Sequence, residues 1–394
     1  LSRPTSAHIA LMVALAILIS GCASAPQATP TPTKTPPAPT STPLPPTATL
    51  APTDTPAPTD TPAPTDTPEP TATPTPDTRL ILPSREEGLS IFTGLKPADP
   101  SVLDRRPLAI KVDNDPAVVP QSGLNKADVV VESRKEGCLT RFTAIYQSQE
   151  AERVGSVRSA RLIDKELPVI FDAVLAFSGA VQPVLNIIRE SDIGDTILTQ
   201  GAMFRDPNIA VPFNLFANTN TLWQRVAKNG WDTPPEPTAA WAFSEMPLEG
   251  GEKATQVVIP FPRPAFKVSW EYEPATGRWV RSINGETHID KVDGRPLSAA
   301  NVVVLTANHV QTLIAEQGTK LGQGPCSNAS VEIQLWGEGP AKVLRDGQVY
   351  EGKWVRPDRH SPFRIVDAEG NDLPLKPGNS WFEIVSGDMA VTTE

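Results

Sequence analysis

Arg106-Pro107-Leu108-Ala109-Ile110-Lys111-Val112-Asp113-Asn114 is the stretch from which the fold is read. A proline opens it, apolar and β-branched residues follow with one lysine among them, and two polar residues close it. A strand buried on both faces reads this way, and such strands belong to sheets covered on each side. The runs at 128–131, 139–146 and 173–177 repeat the pattern. Between them, apolar periodicity suggests helices over 160–170, 182–190 and 221–229, with Gly230 as the stop after the last. Residues 85–248 are therefore expected to form a layered α/β domain. A Pro-rich loop at 232–237 leads to a boundary near 246–253.

Residues 249–394 read as mostly β. Strand runs at 266–272 and 278–283 flank Glu273-Pro274-Ala275-Thr276-Gly277, a hairpin signal. Further runs lie at 302–305, 331–335, 341–344 and 349–355, with Asp346-Gly347 as a tight turn. Trp270, Trp279, Trp336, Trp354 and Trp381 are read as packing aromatics rather than a ligand cage. The fold class expected is α+β, an α/β layer followed by a β-rich half.

Upstream of residue 85 the chain is not of globular composition. Arg3 and His8 precede an apolar run over 9–19, too short to span a bilayer of roughly 30 Å as a helix. This is the form of a secretory signal, and Ile19-Ser20-Gly21-Cys22 looks like the lipobox of bacterial lipoproteins. The resemblance implies lipidation of Cys22 and an extracytoplasmic, membrane-anchored chain; two or more acyl chains make such an anchor stable. Residues 23–84 are mostly Pro, Thr and Ala, with Ala-Pro-Thr-Asp-Thr-Pro repeated at 51–56, 57–62 and 63–68. Proline removes backbone donors and nothing large and apolar is available to bury, so a disordered, extended tether is expected. At about 3.1 Å per residue it reaches on the order of 150 Å.

The formal net charge of −10, with basic residues scattered, argues against a nucleic-acid partner. Besides Cys22 there are Cys138 and Cys326. They could pair outside the cytoplasm, or remain two buried thiols, the simpler reading from sequence. No Cys-x-x-Cys occurs, and His288, His309 and His360 lack metal-ligand spacing, so no metal or other cofactor is expected. No Gly-x-Ser-x-Gly, Ser-x-x-Lys, His-Glu-x-x-His or phosphate-loop motif is found, and no catalytic residue is assigned.

A polar constellation marks the first region instead. Asp113 and Asn114 end the first strand; Gln121 and Ser122 sit in the turn Pro120-Gln121-Ser122-Gly123-Leu124; Glu132 and Glu136 follow the second strand; Arg141 opens the third. Arg158-Ser159-Ala160-Arg161 falls where a strand is expected to become a helix, and Arg205, Asp206 and Asn214 complete the set. Ligands of open α/β sheets bind beyond C-terminal strand ends, and helix N-termini favour anions. Arg158 and Arg161 could thus hold one phosphate or carboxylate between their forks. Equally, the arginines could pair with Glu132, Glu136 or Asp206 as internal ion pairs.

These residues resemble the YerB-like lipoproteins. The resemblance rests on 106–114, 120–124, Ala127-Asp128, Glu136-Gly137, Thr140-Arg141-Phe142 and 154–161. Downstream it rests on Asn284-Gly285, His288-Ile289-Asp290-Lys291, Asp346-Gly347, Gly352, Trp354, Lys376-Pro377-Gly378 and Trp381. It implies a two-domain α+β lipoprotein outside the cytoplasm and carries no agreed biochemical function. Pro212-Phe213-Asn214 stands where that family often has Pro-His-Asn, and Phe177-Ser178-Gly179-Ala180 where it often has His-Ala-Gly-Gly-Ser. The order of Asp113, Arg141 and Arg158/Arg161 is also similar to that of the LytR-CpsA-Psr cell-wall ligases, although Ser159 replaces an acidic residue of their Arg-Asp-Thr-Arg motif. Together these readings favour a non-catalytic module for a cell-wall glycan, a polyprenyl pyrophosphate carrier or an envelope protein. The alternative is a divergent phosphotransferase.

Overall fold

The computed structural model describes residues 80–235, 241–262, 266–318 and 320–394. The signal segment, Cys22 and the tether through residue 79 lie outside the described residues. The tether expected to run to residue 84 gives way earlier, because Ile81 exchanges two backbone hydrogen bonds with Phe243 (2.7 and 2.8 Å).

The first segment supplies β1 (Leu108–Asp113), β2 (Val129–Arg134), β3 (Thr140–Tyr146), β4 (Val174–Ala176) and β5 (Ile197–Leu198). It also supplies helices α1 (Gln182–Glu190) and α2 (Thr219–Lys228). The second supplies β6 (Gln256–Ile259), β7 (Val268–Glu273), β8 (Arg278–Ile283), β9 (Asn301–Thr306), β10 (Asn308–Ala315) and β11 (Ala329–Gln334). β12 (Gly337–Arg345), β13 (Gln348–Arg356), β14 (Arg364–Val366) and β15 (Ser380–Val385) follow. The α+β class holds; among the described residues helix is confined to the first segment and the second is built of strands.

The boundary expected near residue 248 is not a boundary in space. One sheet runs β14-β13-β12-β9-β15-β2-β3-β1-β4-β5, with the short strand Glu252–Lys253 paired to β13. β15, the last long strand, inserts parallel between β2 and β9 and so joins the two segments edge to edge. Along β1, Leu108, Ile110 and Val112 enter one core and Ala109 the other, the period of two expected of a strand covered on both faces. The first core packs against α2 and the sheet of β6, β7 and β8; the second against α1 and the β10–β11 hairpin.

The expected helix over 160–170 does not form. The chain makes a 3-10 turn at Leu162–Lys165 and a single α-turn at Leu167–Ile170. Pro168 has no N–H to return to residue 164, and Asp172 at φ +43° ends the segment. The β7–β8 hairpin closes at the expected place, and the turn at Asp346-Gly347 has positive φ at both residues (52° and 71°), as a two-residue hairpin turn requires. Trp270, Trp279, Trp354 and Trp381 are buried, whereas Trp336 is 44% exposed.

Cys138 and Cys326 are disulfide-bonded, with Cα atoms 4.7 Å apart across 188 residues. The expectation of two separate thiols is corrected by the turn at Glu136–Cys138, which packs on β11 and brings its backbone to Ser327 (Gly137 N donates to Ser327 O, 2.9 Å). In the chain-entropy model a loop of that length is worth about 5 kcal/mol when closed.

Candidate functional site

Because side chains alternate along β1, Asp113 and Asn114 enter two different clusters. Asp113 faces the arginines. Arg158 Nε lies 2.9 Å and Arg141 Nη2 3.6 Å from its two carboxylate oxygens. Arg141 also donates to Ser159 O (2.7 Å), the carbonyl toward which Arg161 Nη1 points at 3.5 Å. Arg161 grips Glu136 with both edges of its fork, Nε to Oε2 at 2.6 Å and Nη2 to Oε1 at 2.5 Å. Lys135 lies 3.2 Å from Glu136, and Glu316 reaches in from the second segment to 3.4 Å from Arg161.

The three arginines thus converge, but not in an open cleft. Arg141 and Arg161 are buried, and Arg158 alone keeps 24% of its side chain exposed. The backbone donors expected to be free at a helix start are not all so, since Asp164 Oδ2 accepts from Arg161 N (2.7 Å). Of the internal pairs considered from sequence, only Arg161 with Glu136 is made; Glu132 binds Arg281 and Asp206 binds Arg153.

Electrostatically the cluster is crowded with cations. Burial, with Arg161 close by, pulls the Arg141 guanidinium down to about 10, so it remains charged at neutral pH. Burial and then Arg141 lower Lys135. Burial alone would raise the Glu136 carboxyl, yet Arg161, backed by Lys135 and Arg141, holds it well below the usual carboxylate range. Glu316 is pushed up by burial. Four cations therefore face three carboxylates, one of them reluctant to ionise. Several polar atoms here are buried without a hydrogen bond: both Asp113 carboxylate oxygens, Arg141 Nε, Arg158 Nε and Glu316 Oε2. Ion-pair distance is met without hydrogen-bond alignment.

Asn114 and Gln121 belong to the second cluster, which sequence reading missed as a unit. Asn114 Nδ2 donates to Glu132 Oε1 (2.9 Å) and Thr140 Oγ1 (2.7 Å), and Gln121 Nε2 donates to Asn114 Oδ1 (3.1 Å). Gln121 Oε1 lies 2.6 Å from His288 Nε2, and Arg281 Nη1 2.6 Å from His288 Nδ1. A guanidinium only donates, so Nδ1 accepts and the neutral Nε2–H tautomer points at Gln121. Burial and the adjacent Arg281 lower His288 to about 2. Arg281 Nη2 reaches Glu132 Oε2 (2.7 Å), and Trp270 Nε1 donates to Glu383 Oε1 (2.8 Å). Burial, then the neighbouring Glu132, raises Glu383 well above the carboxylate range. Asn114, Gln121 and Glu132 stood in the polar constellation of the sequence, and from the second segment the resemblance marked His288 but neither Arg281 nor Glu383. The partners of His288 are Arg281, seven residues away on β8, and Gln121, 167 residues away in the turn before β2.

The remaining expected residues sit apart. Ser122 pairs through its backbone with Gly155 and lines a cavity of about 130 Å³ with Ser156 and Phe213. Arg205 donates to Asn214 Oδ1 (2.6 Å) and Gln200 Oε1 (2.9 Å), and Asp206 accepts from Arg153 (2.7 Å). Their link to the arginine cluster is Arg158 Nη1 donating to Pro212 O (3.1 Å), with the Phe213 ring 5.4 Å from the guanidinium. Lys111 is a buried neighbour on the Asp113 face, paired with Asp164 at 2.8 Å.

Two family models match the chain. The N-terminal domain of a family of proteins of unknown function, DUF3048, covers residues 92–232, and its C-terminal domain covers 257–382. A curated relative from Bacillus subtilis (strain 168), named "Putative lipoprotein YerB", is 28% identical over 300 residues, 75% of this chain and 85% of the relative. The crystal structure of YerB from Bacillus subtilis superposes with a TM-score of 0.63 at 26% identity, covering 77% of this chain and 99% of that one.

Proposed function

This chain belongs to the DUF3048 family, and from that premise we propose that it is a membrane-anchored, non-catalytic module that binds an anionic envelope ligand through Arg158. Anchoring at Cys22 is supported by Ile19-Ser20-Gly21-Cys22 and by the lipoprotein name of the Bacillus subtilis relative. No helix among the described residues is long and apolar enough to cross a membrane.

The observation that carries the binding reading is the imbalance at Asp113. Two arginines share that one carboxylate, a third is saturated by Glu136, and Lys135 stands behind them. Arg158 is the member with a route to solvent, and its Nε contact to Asp113, like the longer one of Arg141, lacks hydrogen-bond alignment. An arriving oxyanion would take the Arg158 fork, leave Asp113 to Arg141, and gain from the cationic surplus without exposing an unpaired carboxylate. Phe213, against Arg158, gives the site an apolar flank. Polyprenyl pyrophosphate and phosphorylated glycans carry the required group.

Phosphotransfer has less support. Asp113 is already held by two arginines, and Ser159 contributes a carbonyl rather than a carboxylate. The test is a calorimetric titration of the intact protein with pyrophosphate. The wild type is expected to bind and Arg158→Gln to bind at least tenfold more weakly; equal binding by the two removes Arg158 from the site.

A further inference from the structure

A second cleft lies at the other ends of the central strands. Two pockets of about 500 and 440 Å³ adjoin, with Arg278 and Asn125 common to both. Each is within the size class of small-ligand sites, roughly 300–1,000 Å³. Arg278 opens β8 and is half-buried between them. Its Nε donates to Ser298 Oγ (2.9 Å), and its Nη2 to Ser298 O (2.9 Å) and Asn379 Oδ1 (2.5 Å). These partners are neutral. No carboxylate among the described residues lies within ion-pair distance of it, and desolvation alone lowers its pKa. Elsewhere in the molecule buried arginines are paired: Arg281 with Glu132, Arg161 with Glu136, Arg356 with Glu166. Arg278 is thus a positioned cation that lines both pockets, its fork fixed on two sides, with Nη1 making no hydrogen bond among the described residues.

The walls say what kind of molecule fits. Thr276, Thr287 and Ser298 line the larger pocket beside Val280 and Pro296, and Ser148, Gln149 and Asn379 the other beside Leu95 and Pro97, so hydroxyl and amide groups alternate with apolar ones. Such walls suit a chain of hydroxylated rings better than an apolar ligand. Glu273 lies on the wall of the larger pocket, its carboxylate engaged by Thr276 Oγ1 (2.7 Å), and would oppose a doubly charged phosphate more than a carboxylate. Arg295 also lines the larger pocket, already paired with Asp293 (3.0 Å), and Lys96 lines the smaller one, so two further cations border the cleft. We propose that the Arg278 cleft binds a carboxylate-bearing glycan, one uronic-acid carboxylate resting on Arg278 Nη1 and neighbouring rings extending into both pockets. This site is distinct from the Arg158 site and does not depend on it.

The test uses trigalacturonate, with maltotriose as the neutral analogue and inorganic phosphate as the bare anion, titrated into the intact protein. Trigalacturonate is expected to bind at least tenfold more tightly than either control. Arg278→Gln should weaken it at least tenfold, whereas Arg158→Gln should leave it unchanged. Thr287→Trp, which fills the larger pocket from an exposed position and leaves Arg278 in place, should also weaken it and guards against a misfolded Arg278 variant. No binding of trigalacturonate, equal binding of phosphate, or undiminished binding by both cleft variants would overturn the proposal.

Discussion

Two buried charged clusters flank the end of β1, one residue apart in sequence, and they differ in how well they are closed. The Asn114 cluster is sealed. Glu132, Arg281, His288, Gln121 and Thr140 are nearly or fully inaccessible, and most of their polar atoms have aligned partners. The Asp113 cluster has similar ingredients but keeps an exposed arginine, a cationic surplus and a row of unaligned atoms. A finished network fixes structure, and an unfinished one at the surface leaves charge available to a ligand. The sealed cluster takes Glu132, Gln121 and Asn114 from the first segment and Arg281, His288 and Glu383 from the second, so it locks the two together where β15 enters the sheet.

The largest effect is expected at the centre of the sealed cluster. Arg281→Met strands Glu132 beside Glu383 and removes the guanidinium that donates to His288 Nδ1, so a loss of about 3–5 kcal/mol is expected in chemical denaturation. A loss below about 1 kcal/mol would show that the network does not hold the segments together. Arg161→Gln comes next. It leaves Glu136 buried with only Lys135 and Arg141 near, and about 3 kcal/mol should be lost. No change there would mean that Glu136 finds another partner.

The pH dependence separates the clusters further. His288 is held near 2 in the fold against about 6.5 unfolded, so the unfolded chain binds the extra proton and stability falls as pH drops below 6.5. By pH 5 the cost from this group is about 2 kcal/mol. Glu383, raised in the fold, works in the opposite sense, its stability contribution declining as pH rises above the unfolded carboxylate value. The two oppose each other in the wild type, which makes a difference measurement the useful one. The deficit of His288→Gln relative to wild type should shrink by about 2 kcal/mol between pH 7 and pH 5, and a constant deficit would place the imidazole charge outside the balance.

Much of this was legible in the sequence, but only where the information is local. β1 announced itself through its apolar run, broken only by Lys111, the β7–β8 hairpin through Pro274 and Gly277, and the turn after β12 through Asp346-Gly347. The helix expected over 160–170 failed because Pro168 and the Asp164 cap divide the segment into two turns. The meeting of Asp113, Arg141, Arg158 and Arg161 followed from strand ends and the three-residue arginine spacing. Their closure did not. Glu316 arrives just past the end of β10 in the second segment, and the insertion of β15 beside β2 is a pairing between residues about 250 apart, for which a single sequence carries no sign. The disulfide ranked second to two separate thiols for the same reason, since the approach of Cys326 to Cys138 depends on where the β10–β11 hairpin docks.

At the surface of the open cluster the smallest stability change is expected together with the largest functional one. Arg158 is partly exposed, Asp113 keeps Arg141, and Arg158→Gln should cost less than about 1 kcal/mol. Thermal melting of Arg158→Gln beside a pyrophosphate titration therefore tests the site most directly. The result predicted is a melting temperature within about 3 °C of wild type with pyrophosphate binding weakened at least tenfold. A collapsed melting temperature with no pyrophosphate bound by the wild type would contradict it, and would leave Arg158 as one more structural ion pair.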